Sequence, residues 1–529
     1  MSAISFTLTR TMLLSTPTLL LVVALMQPAL SSNLNSLHGI AFISVTTDNL
    51  TASTQFYTQV LGGMLVPELS FTFSGDSHYY RMFQKEILDA RTQGVNPAQL
   101  GIPDIGDNGT HEVRGNFIIF DNGIIQLVEY VLRSSSSDIV FDIRDRRTSP
   151  CYIAAPHICF WVKDDVDFNH YIAELERKSH GLGFHQVKVN RPVTVHNEAE
   201  RLAVPENQLG ITFSNGDFAG LSFAYFKGPR GEQLELYQIQ NQSRYHLGSD
   251  YCRRRGVATA FLDKHPDNRW KKAAGVSGQL YGMFQFGTRT DDLSKSVNFY
   301  TQVLGSELVH KPLQAVNVRG DDVENMLFQK EILDALSWGT EPRDIGVANV
   351  SLAGSDRLDH RFNLFDNYVV ETLLYTAGKS LSDPKFNPRY NWSSPAYINN
   401  MHVAFLIDDN VDLNNFLHDT ELKATRNKFP EFKVNRAVDV PRLGASVPLP
   451  QYSAAFTDGP LKGFNYVFAK GPAGEQLSFV QFKGPAAAKL KSALVRYSAV
   501  STAFKETNPW ARKEYDKFCS KYPSNPVIG

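Results

Sequence analysis

Several side chains capable of chemistry lie in segments that otherwise resemble buried strands. Glu371 stands in the apolar run Val369–Leu373, where a carboxylate must reach either solvent or a partner. His157 opens another apolar run, and Cys159 follows two residues later, so the imidazole and the thiol share one face of a strand. Such groups can bind a metal ion or transfer protons. The alternative is that the histidine is a core residue whose nitrogens hydrogen-bond to neighbouring strands.

Other common types of site have no signature in this sequence. There is no Gly-x-Gly-x-x-Gly motif after a strand, no phosphate-binding loop, no His-Glu-x-x-His and no Cys-x-x-Cys. No Gly-x-Ser-x-Gly elbow indicates a serine nucleophile. A formal net charge of −1 favours neither a nucleic-acid partner nor an anionic membrane surface. A hydrophobic content of 43% is typical of a globular protein.

The 529-residue chain contains two similar units, offset by 243 positions. Phe56–Gly62 returns unchanged as Phe299–Gly305, and Gly231–Leu234 returns as Gly474–Leu477. Each unit is about 240 residues long, enough to bury a substantial core. Because the units are related, a candidate site residue in one can be compared with the same position in the other.

Within each unit, a pattern of strand, helix and several strands occurs twice. The predicted strands in the first unit are 40–46, a hairpin over 116–131 that turns at 121–123, 157–162, 221–226 and 233–238, with helices over 51–61 and 166–178. In the second unit, strands are predicted over 283–288, 362–374, 402–407 and 461–482, with a helix over 294–304. Each unit also carries a helical insert, at 80–90 and at 326–335, which either has a function or provides a packing face.

The first thirty residues predict a secretory signal peptide. Arg10 precedes the apolar run Thr11–Met26, and Ala29 and Ser31 provide small residues for cleavage before Ser32. The run is short for a membrane span and contains a proline, although a retained signal anchor is an alternative. We therefore expect a secreted, soluble mature protein without a membrane span.

Sequons and cysteines agree with export. Five sequons predict N-glycosylation, at Asn49, Asn108, Asn241, Asn349 and Asn391. The four cysteines are Cys151, Cys159, Cys252 and Cys519, and outside the cell we expect disulfide bonds. A bridge from Cys252 to Cys519 would tie the two tails together, but four cysteines allow three pairings.

The motif Phe-Tyr-x-x-Val-Leu-Gly after a strand, together with Lys-Gly-Pro-x-Gly-x-Gln-Leu near the end of a unit, resembles the vicinal oxygen chelate superfamily. That superfamily includes glyoxalase I, extradiol dioxygenases and bleomycin-resistance proteins. The resemblance implies an α+β fold of four βαβββ modules, arranged as two paired half-barrel units, each around a cavity. It covers nearly the whole mature chain. Fold alone does not fix function.

The resemblance implies the following domain boundaries. The signal peptide is 1–31, and the first glyoxalase-like unit is 36–240, with modules at about 36–135 and 153–240. A charged linker over 241–278 leads to the second unit at 279–484, with modules at about 279–378 and 398–484. A C-terminal tail over 485–529 follows.

In this superfamily, the metal ligands come from the first and last strands of each module. The first-strand positions carry Phe42, His157, Gln285 and His402 in the four modules. Glyoxalase I of the human type uses a glutamine at the place of Gln285, whereas Phe42 cannot bind a metal. The last-strand positions carry Gln126, Glu235, Glu371 and Ser478. Imidazole, carboxylate and amide donors would suit a divalent metal such as Zn, Fe, Ni or Mn.

With each cavity expected within one unit, each unit keeps three of the four donors. The first unit would use Gln126, His157 and Glu235, with Glu235 as the catalytic base. The second would use Gln285, Glu371 and His402, but Ser478 takes the place of the base and lacks comparable basicity. Cys159 could approach the ion, although a disulfide to Cys151 is the expected fate of that thiol. Alternatively, His157 and His402 are core histidines and Glu235 is a solvated residue at a strand end.

Two functions follow from these donor sets. One is a secreted, metal-dependent lyase or dioxygenase that acts on a small oxygenated molecule in the cavity. The other is a non-catalytic extracellular ligand-binding or matrix protein, in which the fold persists while the metal sites have decayed. Metal content distinguishes the two functions, because the enzyme needs the ion.

Overall fold

The computed structural model describes most of both units. The described residues are 36–74, 110–120, 123–132, 156–163, 165–197, 200, 210–215, 219–240, 279–308, 316–318, 355–365, 368–377, 401–430, 432, 434, 438–440, 453–459 and 461–490. The predicted signal peptide, the helical inserts at 80–90 and 326–335, and the linker over 241–278 lie outside these residues. No helix in the described ranges is long and apolar enough to cross a membrane.

The first unit folds into two modules, each built from five strands and one principal helix. Module 1 comprises β1 (Leu37–Thr47), α1 (Leu50–Gln55), β2 (Met64–Leu65), β3 (Phe71–Ser74), β4 (Thr110–Phe120) and β5 (Gly123–Leu132). Module 2 comprises β6 (His157–Val162), α2 (Phe168–Gly181), β7 (Pro192–Val195), β8 (Gly210–Phe213), β9 (Leu221–Lys227) and β10 (Gln233–Ile239). A short 3₁₀ turn, Pro67–Leu69, lies between β2 and β3.

The second unit repeats this arrangement. Module 3 comprises β11 (Leu280–Arg289), α3 (Leu293–Asn298), β12 (Glu307–Leu308), β13 (Val316–Val318), β14 (Ser355–Leu364) and β15 (Val369–Ala377). Module 4 comprises β16 (Met401–Ile407), α4 (Leu413–Arg426), β17 (Val438–Val440), β18 (Ser453–Phe456), β19 (Phe464–Lys470) and β20 (Gln476–Phe482). The predicted α+β class with four strand–helix–strand modules is confirmed.

The principal helices begin at side-chain caps. Asn49 caps α1 by accepting a hydrogen bond from the Ala52 amide at 2.9 Å, and Asp292 caps α3 in the same way. The repeated Phe-Tyr-Thr-Gln-Val segment then widens into a π-helical turn over Phe56–Val60 and again over Phe299–Val303. The exposed Asn49 is a predicted glycosylation site. The other four sequon asparagines lie outside the described residues.

The modules pair across the two units. Module 2 joins module 3 in one ten-stranded sheet, here called the central sheet, with the order β12-β14-β15-β11-β6-β10-β9-β8-β7 and with β13 beside β14. Module 1 joins module 4 in a second ten-stranded sheet, the terminal sheet, with the order β17-β18-β19-β20-β16-β1-β5-β4-β2 and with β3 beside β4. The expectation that each cavity lies within one unit is therefore wrong.

Antiparallel pairs of first strands hold each sheet together at its middle. In the central sheet, β11 pairs with β6 so that Gly287 lies opposite His157 and Gln285 lies opposite Cys159. In the terminal sheet, β1 pairs with β16, and Ser44 lies opposite His402. The hydrogen bonds of both pairs join residues of different units, so neither sheet is complete within one unit.

Helical contacts link modules within a unit and complete the interlocked fold. Phe56 of module 1 packs edge-on against Phe184 of module 2, with the ring centroids 6.3 Å apart. Phe299 of module 3 packs against Phe429 and Phe432 of module 4. These residues belong to the larger hydrophobic core, which also includes apolar residues from both sheets. Every module thus contacts one neighbour through a sheet and another through its helix.

A buried tyrosine and glutamate form part of each helical junction. Tyr300 donates a hydrogen bond to Glu475 at 2.7 Å, and the Ala473 amide donates to the other carboxylate oxygen at 2.9 Å. Burial raises the pKa of Glu475 to about 7 despite these hydrogen bonds. In the first unit, Glu232 occupies the equivalent place near Tyr57, and burial likewise raises its pKa to about 7.

These carboxyls predict a loss of stability as the pH rises. Because the folded-state pKa of Glu475 exceeds its ordinary value of 4.5, its contribution is complete below pH 4.5 and is lost as pH rises through 7. We measure the free energy of unfolding in urea at pH 5 and at pH 8. Between these values, we expect it to fall by about 2 to 3 kcal/mol more in wild type than in Glu475→Gln. The glutamine side chain of the variant cannot ionise, which explains the expected difference.

Comparing wild type with the variant separates the pH dependence due to Glu475 from that of other titrating side chains. Burial lowers the pKa of His402 to about 3, so this histidine changes stability with the opposite sign at acidic pH. Glu232→Gln is the matched substitution in the first unit and should give a similar difference. Parallel stability curves for wild type and both variants would contradict the assignment.

Candidate metal centre

Four adjacent strands of the central sheet bring four polar side chains together. In the order β15-β11-β6-β10, these strands contribute Glu371, Gln285, His157 and Glu235. Glu235 lies opposite Cys159 on one side of β6, and Glu371 lies opposite Gly287 on the far side of β11. Residues in register project from the same face of a sheet, so the four groups converge on one point.

The distances between these groups are short. The His157 Nε2 atom lies 3.4 Å from Glu235 Oε2 and 3.4 Å from Glu371 Oε2. The Gln285 amide donates to Glu371 Oε2 at 2.6 Å and to Glu235 Oε2 at 3.3 Å. All four residues are at most 5% exposed. Two carboxyl groups therefore face one imidazole away from water.

Burial and charge act in opposite directions on His157. Burial alone would lower its pKa, but the adjacent Glu235 and Glu371 outweigh burial and raise the pKa to about 9. Burial also raises the pKa of Glu235. The positive imidazolium balances only part of the negative charge that two ionised carboxylates would bring. This imbalance favours a cation of higher charge at the same place.

The hydrogen-bonding of the site also fits a divalent metal. Neither ring nitrogen of His157 makes a hydrogen bond of good geometry, and the buried Gln285 Oε1 atom accepts none. One donor atom from each of His157, Glu235 and Glu371 lies within 4.8 Å of the others, and these form the candidate metal-ligand cluster among the described residues. A rotation of the Gln285 amide would exchange its nitrogen for its oxygen and add a fourth donor.

Gly287 provides the space that His157 occupies. A β-carbon on Gly287 would lie 1.8 Å from Cε1 of the imidazole, far inside contact distance. The equivalent residue in the terminal sheet is Ser44, opposite His402. No sequence motif marks Gly287, and the signal that could have found it is the serine at the equivalent position of the other unit.

Cys159 lies beside the donors but outside the cluster. It is opposite both Glu235 and Gln285 in the strand register, and its thiol is free and buried. The expected disulfide to Cys151 is therefore wrong. Burial, followed by the charge of Glu235, raises the thiol pKa well above its usual range. The thiol is neutral near neutral pH.

The predicted donors Gln126 and His402 lie in the terminal sheet, apart from the other four. Ser44 lies opposite both of them in the register, and Ser478 lies opposite Ala404 on the neighbouring strand pair. The donor sets expected within each unit are thus wrong in composition. The physical reason is the pairing of β6 with β11 and of β1 with β16, which places first strands of different units side by side.

The corresponding face of the terminal sheet is packed with aromatic rings. Phe42 takes the place of Gln285 and contacts Phe117 and Phe464 at ring-centroid distances of 5.6 and 6.5 Å. The His402 ring packs edge-on against Phe468 at 5.2 Å. Burial lowers the pKa of His402 to about 3, so it stays neutral. This face is a hydrophobic core with a buried neutral histidine.

Searches with the sequence match no protein family and no curated protein. Solved structures that resemble the fold include glyoxalase I from Zea mays, at 12% identity and TM-score 0.36, covering 86% of this chain and 95% of that one. A putative dioxygenase from Bacillus subtilis matches at 10% identity and TM-score 0.38, and the match covers 89% of this chain and 96% of that one. A variant of 4-hydroxymandelate synthase from Streptomyces coelicolor matches at 10% identity and TM-score 0.21, covering 89% and 99%.

These similarities concern the fold and carry no conclusion about substrate. The matching structures are of the glyoxalase and dioxygenase types that the sequence resemblance named. The four modules and their two sheets are features of this chain's own structure. The chain thus has an α+β fold of four strand–helix–strand modules, with its candidate metal centre in the central sheet.

Proposed function

We propose that the central sheet holds one divalent metal and catalyses proton transfer in a small oxygenated carbonyl compound, as a lyase or isomerase. The observation that carries this proposal is the convergence of His157, Glu235, Gln285 and Glu371 from four adjacent strands. The set offers one imidazole, two carboxylates and one amide, which suits Zn, Ni, Mn or Fe. When bound, such an ion polarises substrate oxygens as a Lewis acid.

The donor set favours proton transfer over oxygen activation. Iron sites that activate oxygen commonly use two histidines and one carboxylate, whereas only His157 contributes an imidazole to this cluster. Two carboxylates instead provide a group that can accept a proton from carbon while the other remains a ligand. We therefore favour lyase or isomerase chemistry over dioxygenase chemistry.

Glu235 is the better candidate for the base. In the observed arrangement, Gln285 makes its shorter hydrogen bond, 2.6 Å, to Glu371 and its longer one, 3.3 Å, to Glu235, so Glu235 is the less tightly held carboxylate before the amide turns towards an ion. Burial raises the pKa of Glu235, which makes its carboxylate a stronger base. Glu371 and His157 would hold the ion, and Glu235 would accept the proton from the carbon next to the carbonyl.

The alternative of a non-catalytic protein with decayed metal sites applies to the terminal sheet alone. Phe42 and Ser478 replace two donors, and aromatic rings fill that face. We propose that this half has no catalytic role and supports the central sheet. The signal-like N-terminus and the exposed Asn49 sequon support a proposal that the protein is a secreted glycoprotein with a small-molecule ligand.

Solvent-deuterium exchange tests the proposed chemistry without knowledge of the natural substrate. Metal-loaded full-length protein is incubated in D₂O with a panel of small 2-hydroxy and 2-oxo carbonyl compounds, and exchange at the carbon next to the carbonyl is followed by NMR. We expect exchange with wild type and a loss of about a hundredfold or more in Glu235→Gln. Phe42→Leu, at the terminal-sheet face, should leave the rate unchanged.

Metal analysis accompanies this assay and separates two kinds of failure. Full-length protein that stays folded and refuses all four metals would overturn the proposed function entirely. Bound metal without exchange for any compound would overturn the proton-transfer chemistry while leaving the metal centre in place.

A further inference from the structure

The backbone of Gln285 accepts a hydrogen bond from a buried tyrosine outside the donor cluster. The Tyr368 hydroxyl donates to the Gln285 carbonyl oxygen at 3.1 Å, and both residues are fully buried. Tyr368 lies directly before β15, whose first residue, Val369, is opposite Gln285 in the register. The hydrogen bond therefore joins the donor strand β11 to the start of its neighbour β15.

This hydrogen bond lies at an irregular point of β11. The register of β11 with β6 shifts between Met283 and Gln285, and the pairing of β11 with β15 begins at Gln285. A bulge disrupts the regular ladder and determines the direction of the side chains beside it. The direction of the Gln285 amide, towards Glu235 and Glu371, thus depends on how the backbone is held at this residue.

The terminal sheet has the same bulge without the tyrosine. The register of β1 with β16 shifts at the equivalent place, between Ile40 and Phe42. Gly123 stands there at the position of Tyr368. A bulge of this kind therefore forms without a tyrosine, and the tyrosine occurs in the sheet that contains the donor cluster.

Gly123 also contacts the bulge of the central sheet. A β-carbon on Gly123 would lie 2.4 Å from Cε of Met283 and 4.0 Å from Cε2 of Tyr368. The start of β5 in the terminal sheet thus packs against the residues that flank the bulge. Such close packing leaves the backbone before Gln285 little room to move.

The geometry points to a positioning role: we propose that Tyr368 fixes Gln285 so that its amide can take part in the metal centre. This inference rests on the proposed function, because it requires the ion. The amide must turn to offer its oxygen to a metal, and a fixed backbone reduces the conformational freedom that binding has to remove. Loss of a supporting partner of a metal ligand typically weakens metal affinity by about tenfold to a hundredfold.

A double-mutant cycle in full-length protein tests this role. Affinity is measured by competition with a chelating indicator, for whichever of Zn, Ni, Mn and Fe the wild type binds most tightly. We expect Tyr368→Phe, which removes only the hydroxyl, to weaken binding by about tenfold, and Gln285→Ala to weaken it at least as much. In the Gln285→Ala background, Tyr368→Phe should change the affinity by less than about twofold, because the hydroxyl acts through Gln285.

Tyr300→Phe is the matched control. It removes another buried tyrosine hydroxyl, which donates to Glu475 in the helical junction, and it should leave the metal affinity unchanged. Unchanged affinity in Tyr368→Phe would overturn the positioning role, and so would an equal loss in both backgrounds or in Tyr300→Phe. Unchanged affinity in Gln285→Ala would also overturn it, even where the tyrosine variant does not fold. Wild type that binds none of the four metals would instead overturn the proposed function.

Discussion

Replacing His157 by alanine is expected to remove the bound metal from the full-length protein, whereas replacing His402 by alanine should leave the metal content unchanged. His157 lies 3.4 Å from each of two buried carboxylates, and the terminal sheet holds His402 among aromatic rings. Loss of a directly bound imidazole should weaken metal affinity by about a hundredfold or more, since even outer-shell partners contribute tenfold to a hundredfold. Elemental mass spectrometry after dialysis gives the stoichiometry.

The two histidines form a matched pair for this test. Both lie at the start of the first strand of a module and both are buried, so each variant removes a core imidazole from an equivalent place in the fold. Thermal unfolding of both variants supplies the folding control. Equal metal content in wild type and His157→Ala, or equal loss in the two variants, would contradict the assignment of the ion to the central sheet.

Separating the units is expected to abolish both sheets. A fragment over 36–240 contains His157 and Glu235 without β11 and β15, and a fragment over 279–484 contains Gln285 and Glu371 without β6 and β10. Each fragment would also expose the edges of two first strands that normally pair with the other unit. We expect neither fragment to bind metal at one equivalent or to show cooperative unfolding.

Mixing the fragments gives the decisive comparison. Co-expressed units should associate and recover a single metal site of about one equivalent per pair, because all four donors are then present. Size-exclusion chromatography with metal analysis measures both properties. One equivalent of metal in either isolated fragment would contradict the pairing of modules across units.

Much of the fold was predictable because local patterns determine it. The strand His157–Val162 was predicted with the observed bounds, and the hairpin predicted over 116–131 corresponds to two antiparallel strands that pair as far as Phe120 and Gly123. The helix predicted over 51–61 instead changes to a π-helical turn at Phe56, where the Leu61 amide bonds back to the Phe56 carbonyl. A wider turn buries both Phe56 and Tyr57, and helical spacing alone does not reveal it.

The site was only partly predictable, because the pairing of strands that are far apart in the sequence decides which donor residues lie together. The structure brings four of the six predicted donors together, but not in the sets that were expected. Periodicity indicates which residues face one side of a strand, but it does not say which strand lies alongside. The partner of β6 is β11 from the other unit. Combining Gln285 and Glu371 with His157 and Glu235 would have given a complete donor set from the sequence alone.

Modules 2 and 3, which share one sheet, lie between modules 1 and 4 in the sequence, and this order determines which sheet can form first during synthesis. The partners β6 and β11 lie closer together in the sequence than β1 and β16, so β1 must wait until nearly the whole chain has been made. Since non-local pairing is slow and domains fold as they emerge, the inner sheet should assemble first and the outer sheet last. Until then, β1 pairs with β5 along one edge, and its other edge remains unpaired and prone to aggregation. A C-terminal truncation would leave it permanently in that state, even with the donor residues already in place.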